Sequence, residues 1–218
     1  MSKRALAWMT VSTAIIALIS IFLFDRPLAL AVHESGLENA SLVVHGREFL
    51  DIFTGRGLLD NHVALGQLVL GAVFVAAGLL WMMLRRGSHL GRALVFAGIV
   101  QLATIEAAWL IKDWFGRLRP FQVIARDDWS HIWFAGGNSF PSGHNAFFWG
   151  LFLPLAYQFP KYRIPLLIIP VFIAFARIDE NYHFLSDVLA AIALTALITL
   201  FAAIVFERWV KSPAKRRA

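Results

Sequence analysis

No cysteine occurs among the 218 residues, so disulfides and thiolate metal sites are excluded, while the redox compartment stays open. Acidic residues are scarce, 14 against 20 lysines and arginines, and whole stretches of about 18–22 residues carry almost no charge. No internal repeat is visible, and the short basic tail is the only biased segment. What remains is apolar: 59% of the residues are hydrophobic, above the roughly one-half usual in soluble domains. Runs of that length match a hydrocarbon core of about 30 Å, which points to a single integral membrane domain.

The formal charge of +6 invites a nucleic-acid reading until the basic residues are located. They fall at Lys3 and Arg4, in short turns (Arg85, Arg86, Arg92; Lys161, Arg163) and in the tail from Arg208 to Arg217. That is the placement of cytoplasmic loops under the positive-inside rule, so no nucleic-acid partner is expected. Lys3 and Arg4 before an apolar core could also open a signal peptide. No small-x-small cleavage site follows, and a retained first span is expected instead.

The hydropathy pattern predicts an all-α fold with six transmembrane helices, at about 6–24, 62–84, 91–111, 144–159, 163–178 and 185–206. Pro154 makes the limits of the fourth the hardest to set. Both termini are then cytoplasmic. Residues 25–61, 112–143 and 179–184 form extramembrane loops on the outer side, where most acidic residues lie. Residues 28–55 mix leucine and valine with charge at helical intervals, and read either as amphipathic interfacial helices or as a solvated loop with some helix.

Polar residues foreign to lipid gather in three segments at the predicted outer face: "KDWFGRLRP" from Lys112, "PSGH" from Pro141, and "ARIDENYHFLSD" from Ala176. A single arginine or lysine at a span end usually reaches only for headgroups. Three such segments on one side make a different set. Lys112, Arg119 and Arg177 suit a group bearing about two negative charges, because guanidinium forks match phosphate oxygens. Ser142 and Gly143 open a helix, whose free N–H groups and dipole favour an anion. Gly143 lets backbone approach closely, and Ser142 adds a hydroxyl. His183 and Asp187 share one face if the sixth helix begins by residue 183. Asp187 would then hold the imidazole with Nε2 free to attack phosphorus. His144 would protonate the leaving oxygen and later activate water.

These segments resemble the signature of the type 2 phosphatidic acid phosphatase (PAP2) superfamily, Lys-x6-Arg-Pro, Pro-Ser-Gly-His and Ser-Arg-x5-His-x3-Asp. Lys112 with Arg119-Pro120, then Pro141-Ser142-Gly143-His144, then Arg177, His183 and Asp187 match in order and spacing. Ala176 stands where the pattern has serine, which puts one supporting hydrogen bond in doubt. The resemblance implies a metal-independent, cofactor-free phosphatase in a six-helix bundle, with His183 as nucleophile and His144 as general acid and base. Its partners would be the bilayer and a lipid phosphate: undecaprenyl diphosphate, phosphatidylglycerol phosphate, phosphatidic acid or a lipid A phosphate. A bacterial inner membrane with the site facing the periplasm or cell exterior is expected. Transfer of the phosphoryl group to another lipid, or a non-enzymatic transporter or scaffold retaining an anion site, are the alternatives.

Other residues are read less pointedly. Arg117 is either an assistant in phosphate binding or a headgroup contact. Glu106, inside the third span, is assigned to a buried hydrogen-bonded pair. Asp179 and Glu180 either shape traffic at the site or are solvated. Trp114, Trp129 and Trp133 fit an interfacial belt. His33, His45, His62 and His131 are left as surface residues, and no His, Asp or Glu arrangement reads as a metal site.

Overall fold

The structure, a computed structural model, describes residues 1–35 and 63–206. No strand occurs among the described residues. In chain order the helices are α1 (Lys3–Leu23), α2 (Asp25–Ser35), α3 (Val63–Leu84), α4 (His89–Phe115), α5 (Pro120–Arg126) and α6 (Gly143–Gln158). A 3-10 turn, Pro160–Tyr162, then leads into α7 (Arg163–Asp179) and α8 (Leu185–Val205). The six predicted spans fall on α1, α3, α4, α6, α7 and α8. Of the amphipathic stretch expected over 28–55, α2 covers the first part; the remainder lies outside the described residues, as do His45 and His62.

Local chemistry sets the ends. Ser2 caps α1, its Oγ accepting from the Ala5 N–H at 3.1 Å, and Ser88 caps α4 in the same way through Gly91. α4 stops at Gly116, whose left-handed φ of 49° suits glycine and whose N–H closes onto the Lys112 carbonyl. Pro154 does not end α6, which runs on four residues beyond it.

Length and composition qualify four segments to cross a membrane: Lys3–Leu23, Gly66–Leu84, the stretch His89–Arg126, and Leu185–Val205. α6 and α7, with 16 and 17 residues, rise only about 24–26 Å, short of the core thickness of about 30 Å. The chain is an integral membrane protein by these apolar helices. α6 is apolar nearly all round, with Ala146, Phe147, Trp149 and Leu153 all buried, as befits a helix enclosed by others. It sits among α4, α7 and α8 in a core of Ile105, Ala108, Phe147, Phe148, Ile173 and Ala191. α1 lies along α8, and α3 lies along α4. The α3–α4 contact is close because Gly78 and Gly98 leave room for backbone: a Cβ on Gly78 would stand 2.6 Å from the Gly91 carbonyl oxygen.

Antiparallel packing brings the C-terminal ends of α1, α4 and α7 to the same end of the bundle as the N-terminal ends of α6 and α8. Hydrogen bonds from Arg117 to Asp25 and Asp187, and from the Ser142 N–H to the Asp187 carbonyl, join them there.

Candidate active site

At this joined end a cavity of about 380 Å³ is lined by Lys112, Arg119, Gly143, His144 and His183. Gln67, Trp109, Asp113 and Asn138 complete its wall. Residues from all three motif segments therefore face one space. The Lys112 ammonium is drawn in by the carbonyls of Asn138 (2.5 Å) and Pro141 (2.9 Å), and Arg119 Nε donates to Asn138 Oδ1 at 2.9 Å. Asn138 thus aims both cations, a task not legible in its place after two glycines. Gly143 has no described atom within 4 Å of where a Cβ would stand, so its lack of a side chain serves the open space rather than packing.

Two expected cradle members stand elsewhere. Ser142 is buried and absent from the cavity wall; its Oγ accepts from Asn145 Nδ2 at 3.1 Å. Arg177 is also buried outside the wall, with Nη1 donating to Glu180 Oε2 at 3.2 Å. Asp179 and Glu180 are buried too, which removes the solvated reading.

The premise that His183 shares a helical face with Asp187 fails, because α8 begins at Leu185. His183 lies in the preceding loop, fixed by its N–H donating to the Arg177 carbonyl at 3.1 Å. Its Nδ1 is 3.6 Å from Asp187 Oδ2, within ion-pair range but longer than a hydrogen bond. Ser139 stands between them. Its hydroxyl donates to Asp187 Oδ2 at 2.6 Å and lies 3.4 Å from His183 Nδ1. With the serine proton committed to the carboxylate, its Oγ is left to accept from Nδ1–H, and Nε2 keeps its lone pair. Asp187 Oδ2 also accepts the Phe184 N–H at 2.8 Å.

Arg117 is neither a headgroup contact nor part of the cavity wall. It is fully buried between the rings of Trp133 (4.3 Å) and Phe184 (4.1 Å). Its Nη1 donates to Asp187 Oδ1 at 2.6 Å and Ser186 Oγ at 2.7 Å, and Nη2 donates to Asp25 Oδ2 at 2.7 Å. Trp133 is accordingly a packing residue, also edge-on to Phe115 and Phe140, and not part of a belt. Trp129 packs near Phe184 and beneath Arg26, whereas Trp114 is exposed. The 127–142 loop is laid back on Arg117 by the Ser139 N–H donating to the Arg117 carbonyl. Gly137 permits this, since a Cβ there would come within 2.2 Å of that carbonyl. Glu106 is exposed on the outer surface of α4, in line with Leu110 and Trp114, rather than in a buried pair. His33 and His131 are exposed, as expected.

Burial holds the His183 pKa down at about 3, further lowered by Lys112 and Arg119 and only partly restored by Asp187. The ring is therefore neutral near pH 7. As pH falls below the ordinary value near 6.5, the unfolded chain takes up a proton that the folded site refuses until about pH 3. Stability contributed by neutral His183 is present above about pH 6.5 and lost as pH falls across that window. The expected result is a detergent-solubilised protein whose unfolding midpoint falls on acidification, with a smaller fall in His183→Gln. Equal pH dependence in both proteins would sink this account.

The PAP2 superfamily model matches residues 86–211, more than half of the sequence, and the chain belongs to that superfamily. Among curated proteins it is 33% identical over 125 residues to the lipid A 1-phosphatase of Rhizobium johnstonii, covering 56% of this chain and 48% of that protein. The lipid A 1-phosphatase of Rhizobium etli is 31% identical over 125 residues, covering 56% and 51%. The chain thus spans about half the length of these curated relatives. No solved structure matches.

Proposed function

We propose that this protein is a metal-independent membrane lipid phosphatase that works through a phosphohistidine. The observation that carries the reading is the shared cavity: two histidines, a lysine, an arginine and a helix N-terminus around one space, in a PAP2 chain. Lys112 and Arg119 hold the phosphate oxygens together with the backbone at Gly143, and Arg177 supports the cradle from behind. Neutral His183 attacks phosphorus through Nε2 while the P–O bond to the lipid breaks. His144 gives its proton to the departing oxygen. It then takes a proton from water, whose oxygen attacks phosphorus as the P–N bond breaks, releasing phosphate and restoring His183. Fixed positive charge around the equatorial oxygens supplies much of the rate enhancement.

The substrate is a lipid phosphate or diphosphate in the bilayer. The relatives' name puts a lipid A phosphate first among those to test, ahead of undecaprenyl diphosphate, phosphatidylglycerol phosphate and phosphatidic acid. We place the protein in a bacterial inner membrane with six spans, the cavity on the periplasmic side and both termini in the cytoplasm. Phosphate release from a panel of these purified lipids is the direct test. We expect release from at least one, unchanged by EDTA and inhibited by vanadate. Absence of release from the panel would overturn the phosphatase reading, and loss of activity on chelation would overturn the metal-free mechanism.

A further inference from the structure

We infer that Asp25 and Arg117 are positioning residues for the His183–Asp187 pair, so that the corner after the first helix is part of the catalytic centre. This rests on the phosphatase reading for its rate predictions, though not for its structural ones. Asp25 lies outside the segment matched by the family model and by neither motif spacing nor family pattern is it marked.

The hydrogen bonds leave little freedom. Asp25 Oδ1 accepts the Ser186 N–H at 3.0 Å, and Oδ2 accepts Arg117 Nη2 and the Ser186 hydroxyl. Ser186 is the second residue of α8, so Asp25 caps that helix from a chain position 161 residues away. The Ser186 hydroxyl accepts from Arg117 Nη1 while donating to Asp25, and the same Nη1 holds Asp187 Oδ1. Both oxygens of Asp25, Asp187 Oδ1 and the Ser186 hydroxyl are each met by a donor, and only Arg117 Nε lacks a partner among the described residues, so the network holds its carboxylates in one geometry. Its result is that Asp187 is pinned from behind by Arg117, and its other oxygen is presented to Ser139 and His183.

Charge explains why both members are needed. Arg117 and Asp25 are buried, and an uncompensated buried charge is costly. With the Asp25 charge alone removed, Asp187 is the one carboxylate left bonded to Arg117, which draws it away from the histidine. With Arg117 removed, two buried carboxylates face each other, and one of them takes up a proton. The groups facing Asp187 are Arg117 and His183 directly, Asp25 across Arg117, and the more distant Lys112, while Arg119 acts on His183. Neither positioning residue lines the cavity, so substrate binding should depend on them weakly.

The test compares full-length wild type with Asp25→Asn and Arg117→Lys. Asparagine keeps the acceptor for Ser186 but not the charge; lysine keeps the charge but not the fork. We expect kcat to fall about 10–100-fold in each with KM within about threefold. The acid limb of the kcat profile should move upward in Arg117→Gln and return toward wild type in Arg117→Lys. Independently of turnover, ¹⁵N-histidine NMR should show one His183 tautomer, with the proton on Nδ1, in wild type and a mixture in Asp25→Asn. A lowered melting temperature with unchanged kcat, pH limb and tautomer would make the network merely structural and overturn the inference. Should one variant not fold, the other carries the same readouts. Wild type without phosphatase activity would instead refute the proposed function, leaving the tautomer comparison to decide this inference.

Discussion

His183→Ala should lower kcat by at least about 10⁴-fold while leaving the affinity for inorganic phosphate within about tenfold of wild type. The two numbers separate because the residues have separate tasks. Lys112 and Arg119 are oriented by Asn138 and Pro141, with no bond to His183, so the anion cradle survives the substitution. The nucleophile does not, and no other side chain on the cavity wall replaces it: His144 is opposite in role, and Asp113 would be repelled by phosphate. Burial keeps the ring neutral near pH 7, so Nε2 can attack without a separate base. The wild-type enzyme quenched during turnover should carry phosphate that is stable in alkali and labile in acid, as a P–N bond requires, and His183→Ala should carry none. A variant that keeps phosphate release, or a wild type labelled on another residue, would remove His183 from this role. The same variant separates hydrolysis from anion transport, since a transporter would continue to move its cargo.

The parts of this site that were legible in the sequence are those whose chemistry is local. A helix in lipid must satisfy every backbone group internally, so long charge-free runs mark helices almost wherever they occur, and six such runs correspond to α1, α3, α4, α6, α7 and α8. Length then qualifies four of them, because α6 and α7 have only 16 and 17 residues. Lys112, Arg119, Gly143, His144 and His183 could be named from motif spacing, and all five line one cavity. What spacing could not convey is partnership across the chain. Asp25 reads as an ordinary charge after a span, and only the packing of α1 along α8 brings it to Ser186. Arg117 carries the same signature as a headgroup-seeking arginine; its enclosure by Trp133 and Phe184 comes from a loop folding back. Ser139 and Asn138 look like turn residues, yet the loop delivers their side chains to Asp187 and Arg119. α8 begins at Leu185, where the span limits put it, so His183 stays outside the helix and the His–Asp pair is bridged by a serine instead of sharing a helical face. Periodicity gives a helix face only relative to its neighbours, and α4 turns the face bearing Glu106 outward.

His144→Ala should divide the reaction by leaving group. With a lipid phosphate, whose alkoxide leaves poorly unprotonated, the first step loses its acid and kcat should fall about 10²–10⁴-fold. With p-nitrophenyl phosphate, whose phenolate leaves without a proton, formation of the phosphohistidine should stay within about tenfold of wild type. The second step still needs a base for water, so the variant should release one equivalent of p-nitrophenol in a burst and then stall. The stalled protein should hold phosphate on His183, with Lys112, Arg119 and the α6 N-terminus around it. His144 supports this dual role by position: it follows Gly143 in the first turn of α6, on the wall shared with His183, with its backbone fixed by a helix that is buried along most of its length. A burst followed by fast steady turnover would show that another group activates water. Equal loss with both substrates would show that His144 binds phosphate without moving protons. Either result would reassign His144 while leaving the nucleophile and the Asp25–Arg117 network to stand on their own measurements.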